Sequence, residues 1–228
     1  MERVGEAFVW PFRDPRWVEK VLIMGLILLI PIIGTIDGLG WLIAAIRRVR
    51  EGKEDLPPAN FDYLGKGFEL FVVLLVYSLV AIAASALLFL PAIVLLNSQG
   101  GEGGNGLLIA LGVLLLFGGF GVAIAAFLLY YLIRPAIVLG VDHRGIEGGF
   151  DLGAIARRLR VSPVNALIAG LMLIAAGFIA SLGAYACFVG VIFTVPYSLA
   201  IEAWIVRSYE VGSTPKEALD VRHPTTAG

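Results

Sequence analysis

The chain has 228 residues, of which 59% are hydrophobic and 15% are charged, and its formal net charge at pH 7 is −1. A soluble domain is about half apolar and about a quarter charged, so the composition argues against a soluble globular protein. The nearly neutral charge gives no indication of a nucleic-acid partner. Residues 70–101, 103–133 and 161–201 carry no charge, and a helix crosses the hydrocarbon core with about 20 apolar residues. The sequence therefore predicts an all-α protein of the polytopic membrane class.

The first 20 residues mix large aromatic side chains with basic ones, including Trp10, Trp17, Arg13 and Lys20. Aromatic rings and long basic side chains both favour the headgroup layer of a membrane. We therefore expect residues 1–20 to form an interfacial segment on the membrane surface.

Residues 21–46 are apolar but are interrupted by Pro31 and several glycines, and both flanks are basic. A single crossing would place one basic flank outside the cell, against the tendency of Lys and Arg to stay in the cytoplasm. A broken, re-entrant hairpin with Asp37 near its tip keeps both flanks inside. One tilted helix of the same length is the alternative.

Three apolar runs follow. The run from Val164 to Val206 is too long for one crossing, because a single helix of that length would extend roughly 65 Å. Gly183 is the expected turn, since glycine adopts turn conformations at little cost. The sequence predicts four membrane-spanning helices, at 68–96, 106–133, 164–183 and 185–206.

Residues 150–161 show a different pattern, that of a short amphipathic helix. Apolar side chains recur on one helical face, and charged ones fill the other, as in helices that lie in the membrane interface. We expect the basic face to bind anionic lipid headgroups. Its charged residues are Asp151, Arg157, Arg158 and Arg160.

The distribution of basic residues predicts the orientation. The turn at 97–105 contains no Lys or Arg, whereas 134–163 is basic, so the first is expected outside and the second in the cytoplasm. Both termini, including a tail at 207–228, then lie in the cytoplasm of a protein in the cell membrane. About six helical segments result, arranged as three hairpins, and a weak repeat between 60–73 and 149–161 agrees with this arrangement.

Several motifs resemble a known family. They are "GEAFVWPFRDPRWVEK" (5–20), "LLIPIIG" (28–34), "REG" (50–52) and "FTVPYSLAIEAW" (193–204). Together they resemble prokaryotic multi-pass membrane proteins of domain of unknown function family 4013. The resemblance covers nearly the whole chain and implies a membrane location, but it carries no catalytic or binding residues.

Three polar residues inside apolar segments are candidates for a polar path, because intramembrane polar groups often serve function. Asp37 either binds a cation or proton or caps free backbone N–H groups. Glu202 either pairs with Arg134 or reaches the interface. Tyr197 lies beside Pro196, which removes a helical hydrogen bond and frees a carbonyl.

Catalytic motifs, a metal-ligand pattern and a phosphate-binding loop are absent from the sequence, so we expect neither an enzyme nor a cofactor. The first hypothesis is a non-enzymatic protein that organises the bilayer or binds a membrane-protein partner, or a second copy of itself, at the inner face. The alternative is a small transporter or channel with a polar path near Asp37 and Pro196.

Overall fold

The computed structural model describes residues 5–99, 104–185 and 189–213. Every regular element in these ranges is helical, as predicted. A short 3₁₀ helix, Trp10–Arg13, follows the first α-helix. The α-helices are α1 Glu6–Val9, α2 Trp17–Leu28, α3 Ile33–Arg50, α4 Leu64–Ser98, α5 Gly106–Phe150, α6 Leu152–Val161, α7 Pro163–Tyr185 and α8 Val189–Ser213.

Four helices in the described ranges are long and apolar enough to cross a membrane, namely α4, α5, α7 and α8. Helices α2 and α3 do not join this group. The 12 residues of α2 extend only about 18 Å, and α3 contains Asp37 and three arginines. The all-α membrane class is therefore confirmed, with four candidate spans and several shorter helices.

The apolar stretch at 21–46 forms two helices rather than one. Helix α2 ends at Leu28 and α3 begins at Ile33, with Pro31 in the connection. Ile32 has a positive φ of 65°, a conformation unfavourable for a β-branched residue. Asp37 does not lie at the tip of this connection, because it follows one turn later inside α3.

The predicted ends of the later helices need correction. The chain does not turn at Gly183, which lies inside α7, where a Cβ atom would overlap the Thr194 hydroxyl and Gly190 of α8. This glycine permits close helix contact, and sequence patterns do not distinguish that role from a turn. Helix α8 continues past 206 to Ser213. The tail beyond 213 and residues 100–103 of the 97–105 turn lie outside the described residues.

Helix α5 continues far beyond the predicted end at 133. Pro135 lies within it, and the helix runs to Phe150 with one break at Gly145, where φ is 66° and ψ is −150°. Only glycine adopts that conformation readily. The break turns the chain at the end of the long helix and leads into α6.

The structure divides into two compact units. The larger unit comprises the described residues of 1–73 and 131–228, and its core includes the fully buried side chains of Trp41, Ile137 and Ile201 from α3, α5 and α8. This core brings together helices that are distant in sequence.

The smaller unit, residues 74–130, contains parts of α4 and α5. The rings of Phe89 and Phe120 meet edge to face, with centroids 5.1 Å apart. Many large apolar side chains of this unit are exposed, among them Leu87 and Phe117 at 75% and 70%. Such a surface suits lipid, because soluble proteins rarely expose large apolar patches.

Helices α3 and α4 approach each other closely at two glycines. A Cβ atom on Gly67 would overlap the carbonyl oxygen of Ile36, and one on Gly40 would overlap that of Tyr63. Gly65, two residues earlier in α4, has open space around the position of a Cβ atom. The two glycines therefore allow the backbones to pack together.

We predict that Gly67→Ala destabilises the protein, because the added methyl group must displace the α3 backbone. Overpacking of this kind costs about 1–3 kcal/mol. Gly65→Ala is the matched control and should be neutral or stabilising by up to about 1 kcal/mol, as alanine favours helix. Thermal unfolding in detergent, followed by circular dichroism, measures both. Equal melting temperatures for the two variants would contradict the close packing.

Candidate functional site

Helix α6 forms where the amphipathic pattern predicted it, and Asp151 caps its N-terminus. Asp151 Oδ1 accepts a hydrogen bond from the Ala154 backbone N–H at 2.8 Å, as expected of an N-cap residue. Its Oδ2 accepts one from Arg144 at 2.6 Å. The Arg144 hydrogen bond, supported by the Ala154 N–H, lowers the pKa of Asp151 below its ordinary value. The carboxylate therefore holds the start of α6 against the end of α5.

The three predicted arginines of α6 differ in exposure. Ile155 is buried and anchors the apolar face. Arg157 and Arg160 are exposed, and Arg158 is half-buried, close enough to interact electrostatically with Tyr209 of α8. Among the described residues, no acidic oxygen lies within ion-pair distance of Arg157 or Arg160, and Arg157 interacts with Asp151 only at longer range. They are thus available to an external anion.

The junction between α6 and α7 is fixed to the end of α8. The Ser162 hydroxyl and the Asn165 side-chain amide both donate to the Gly212 carbonyl oxygen, at 2.8 and 3.1 Å. Carbonyls in the last turn of a helix lack intrahelical donors, so these side chains satisfy one of them. The contact positions α6 beside the end of α8.

Asp37 is completely buried. Its Oδ1 accepts a hydrogen bond from the Tyr63 backbone N–H at 3.3 Å, directly before α4 begins. Its Oδ2 is buried without a hydrogen-bond partner among the described residues. The arrangement resembles the capping alternative, but the capped helix is a neighbouring one. It also leaves one buried oxygen to be satisfied.

Tyr197 anchors the N-terminal segment to α8. Its hydroxyl donates to the Phe8 carbonyl oxygen at 2.7 Å, and its ring centroid lies 5.3 Å from that of Phe12. Trp10 adds a second tie, donating from Nε1 to the Ala200 carbonyl oxygen at 3.0 Å. Trp10 is therefore buried against protein, whereas the sequence predicted a membrane-surface position.

Glu202 pairs with Arg134, the first of its two predicted alternatives. Nε of Arg134 lies 2.7 Å from Oε1, and Nη2 lies 3.0 Å from Oε2. The two-point geometry suits guanidinium and carboxylate groups. Asp37, Tyr197 and Glu202 thus each have separate partners, and these contacts do not join them into one path.

Sequence reasoning missed a network of ion pairs joining the ends of α3, α5 and α8. Asp142 accepts from Arg47 and Arg50, both at 2.8 Å. Glu210 pairs with Arg50 at 3.1 Å and with Arg207 at 2.6 Å. The sequence indicates only the basic run at the end of α3, which predicts the side of the membrane and not the acidic partners. No group of three or more candidate metal ligands occurs within the described ranges.

A second missed feature is a buried ion pair in the N-terminal segment. Asp14 and Lys20 are 2% and 8% exposed, and Asp14 Oδ2 lies 2.7 Å from Lys20 Nζ. The same oxygen accepts the Leu56 N–H at 2.8 Å, and Lys20 donates to the Leu56 carbonyl. Asp14 Oδ1 accepts the Arg16 N–H. We call these groups the Asp14 clip; it fastens the α3–α4 linker to the N-terminal segment.

The helices and their composition define a polytopic helical membrane protein. The chain belongs to the family described as protein of unknown function DUF4013, whose model matches residues 23–189. The resemblance seen in the sequence is confirmed at the family level; the motifs at 5–20 and 193–204 lie outside the matched range. No curated protein and no solved structure matches the chain.

We predict that Asp14→Asn destabilises the protein, since removing one partner of a buried pair costs about 3–5 kcal/mol. Burial alone would raise the pKa of Asp14, but the Lys20 hydrogen bond and charge and the Arg16 and Leu56 N–H groups lower it below 3.8. The carboxylate therefore stabilises the fold fully above its unfolded pKa of about 3.9. That stabilisation is lost as the pH falls through the lower folded pKa.

The measurement is the free energy of unfolding in mixed micelles between pH 3 and pH 7. The difference between the unmodified protein and Asp14→Asn should be largest above about pH 4 and shrink below it. Exposed Glu19→Gln is the control and should change stability by less than about 0.5 kcal/mol. A difference that grows towards low pH would contradict the role of the ionised carboxylate.

Proposed function

We propose that this protein is a non-enzymatic membrane protein whose helix α6 binds anionic lipid at the inner face of the cell membrane. It organises the bilayer there, or presents that face to a membrane-protein partner or a second copy. The observation that carries the proposal is the exposed, unpaired pair of arginines on a helix whose other face is anchored by Ile155.

The distribution of charge supports this orientation. The basic residues of α6 lie in the same unit as the ion pairs at the ends of α3 and α8. Lys and Arg near the ends of spans favour the cytoplasm, so both termini are assigned to that side. Acidic side chains pair directly with the arginines of the network, whereas Arg157 and Arg160 are exposed and can approach headgroups.

We predict that Arg157→Glu together with Arg160→Glu weakens anionic lipid binding. A basic residue near an anionic surface is worth about 1 kcal/mol, so the double reversal should reduce binding by about tenfold or more. Arg158 is left unchanged because it interacts with Tyr209 of α8. The full chain in detergent is titrated with phosphatidylglycerol or phosphatidylcholine, and bound lipid is counted by native mass spectrometry.

Arg16→Glu, an exposed change outside α6, is the charge control and should have a much smaller effect. Binding of phosphatidylcholine should be the same in all variants. Unchanged phosphatidylglycerol binding in the α6 double variant would remove the support for this function.

The alternative function, a small transporter or channel, draws support from Asp37. A buried carboxylate with one unsatisfied oxygen could take up a proton or cation, and intramembrane acids commonly serve transport. The break between α2 and α3 lies one turn away, and broken helices mark many transporter sites. Pro196 adds a freed carbonyl in α8.

This alternative predicts that Asp37→Asn lowers proton or cation flux by about tenfold or more in liposomes containing the purified protein, since the carboxylate would carry the transported charge. Glu147→Gln, a change at an exposed carboxylate of α5, is the control and should leave flux unchanged. Absence of flux across protons and common monovalent cations, or flux indifferent to Asp37→Asn, would exclude a transport role for Asp37.

A further inference from the structure

A small pocket of about 140 Å³ lies in the larger unit, away from α6. Pockets for drug-sized ligands hold about 300–1,000 Å³, so this one suits only a small polar group. The N-terminal segment, the end of α3 with the linker that follows it, and α8 together form it. Its lining residues are Trp10, Arg13, Val49, Gly52, Lys53, Glu54 and Trp204.

Two tryptophan rings form the apolar wall of the pocket. Trp10 is 1% exposed and held by its hydrogen bond to the Ala200 carbonyl. The Trp10 and Trp204 rings stack with centroids 6.1 Å apart. Tryptophan is enriched where lipid headgroups meet protein, because its ring is apolar and its N–H is polar. The two rings therefore supply a fixed surface of the kind found at headgroup depth.

The rim of the pocket carries both positive and negative side chains, and their ion pairs are exposed to solvent. Arg13 Nη1 lies 2.9 Å from Glu54 Oε1, with side chains 37% and 67% exposed. Lys53 pairs with Glu51, outside the pocket, at 2.6 Å, and both side chains are 55% exposed. Exposed ion pairs contribute little to stability, so a ligand can replace them without disturbing the fold.

We propose that this pocket binds the headgroup of a phospholipid that carries both a phosphate and a primary amine, such as phosphatidylethanolamine. The phosphate replaces Glu54 beside Arg13, whose planar guanidinium suits phosphate, and Lys53 adds a second cation. The ammonium of the headgroup then forms an ion pair with the Glu54 carboxylate. Each charge of the opened pair thus gains a new partner.

This exchange gives selectivity. An anionic headgroup without an amine would leave Glu54 without its cation, whereas a choline headgroup cannot donate hydrogen bonds from its quaternary nitrogen. Only a headgroup with both a phosphate and a primary amine makes charge-assisted contacts to Arg13 and to Glu54, and each of the other two headgroups forgoes the contact to Glu54. Phosphatidylethanolamine should therefore bind more tightly than phosphatidylglycerol or phosphatidylcholine.

The test uses the full chain carrying Arg157→Glu and Arg160→Glu, so that α6 adds little phosphatidylglycerol binding, and native mass spectrometry in detergent with short-chain forms of these three lipids. Arg13→Gln should lower phosphatidylethanolamine binding by about tenfold, the order expected when a charge-assisted contact to phosphate is lost. Glu54→Gln should remove the preference over phosphatidylglycerol. Arg16→Gln and Glu19→Gln, exposed residues outside the pocket, are matched controls and should change neither.

Soluble phosphoethanolamine and inorganic phosphate serve as competitors. A lipid site requires that phosphoethanolamine compete weakly and inorganic phosphate more weakly still. If inorganic phosphate competed as well as phosphoethanolamine, the pocket would be a simple anion site and the proposal would be overturned. The proposal would also be overturned if phosphoethanolamine bound as tightly as the lipid. Equal binding of the three lipids, or pocket variants that behave like the controls, would also overturn it. The α6 double reversal should leave this selectivity intact, so the two lipid sites are tested separately.

Discussion

The larger unit depends on the Asp14 clip, a buried ion pair that also binds backbone groups. Asp14 and Lys20 engage both the N–H and the carbonyl of Leu56, so the pair satisfies polar groups that burial would otherwise leave unpaired. Desolvation makes a buried ion pair costly unless further hydrogen bonds satisfy its remaining polar atoms. The backbone groups of Leu56 supply such hydrogen bonds here. The clip fixes the linker between α3 and α4 and, with it, the position where α4 begins. Tyr63 follows in that linker and donates to Asp37, so the burial of Asp37 is linked to the same fastening.

The contacts of this unit separate internal charges from external ones. Asp142, Glu210 and Glu202 each accept from arginines on other helices, which joins α3, α5 and α8 by contacts distant in sequence. Arg157 and Arg160 of α6 are exposed, and no acidic side chain of another helix among the described residues lies within ion-pair distance of them. Exposed arginines outside this network can interact with charges beyond the protein. An anionic membrane surface attracts such basic side chains. The proposal that α6 binds lipid therefore rests on the pairing elsewhere as much as on the sequence of α6.

Features with local causes could be read from the sequence. The amphipathic pattern of 150–161 identified α6 because helical periodicity is carried by neighbouring residues, and the apolar runs identified the four candidate spans. The Asp14 clip was missed because its partner Leu56 is 42 residues away and ordinary in sequence. Gly183 was misread as a turn because turn glycines and packing glycines look alike in apolar sequence. Of the candidate site, the residues of α6 and the pairing of Glu202 were foreseeable, whereas the pocket beside Trp10 arises only when three distant segments meet.

The aromatic N-terminal segment shows how one composition serves two roles. Its tryptophans and basic residues predicted a membrane-surface segment, yet Trp10 is buried and donates to α8, and Tyr197 of α8 donates back to Phe8. The basic residues divide in the same way, because Lys20 is buried in the clip while Arg13 stays at the rim of the pocket. Trp10 and Lys20 of this segment therefore pack in the core of the unit, whereas Arg13 stays exposed at the rim of the pocket. Two side-chain hydrogen bonds hold the backbone that carries Arg13 against α8, and binding groups on a held backbone are the kind that the proposed headgroup pocket needs.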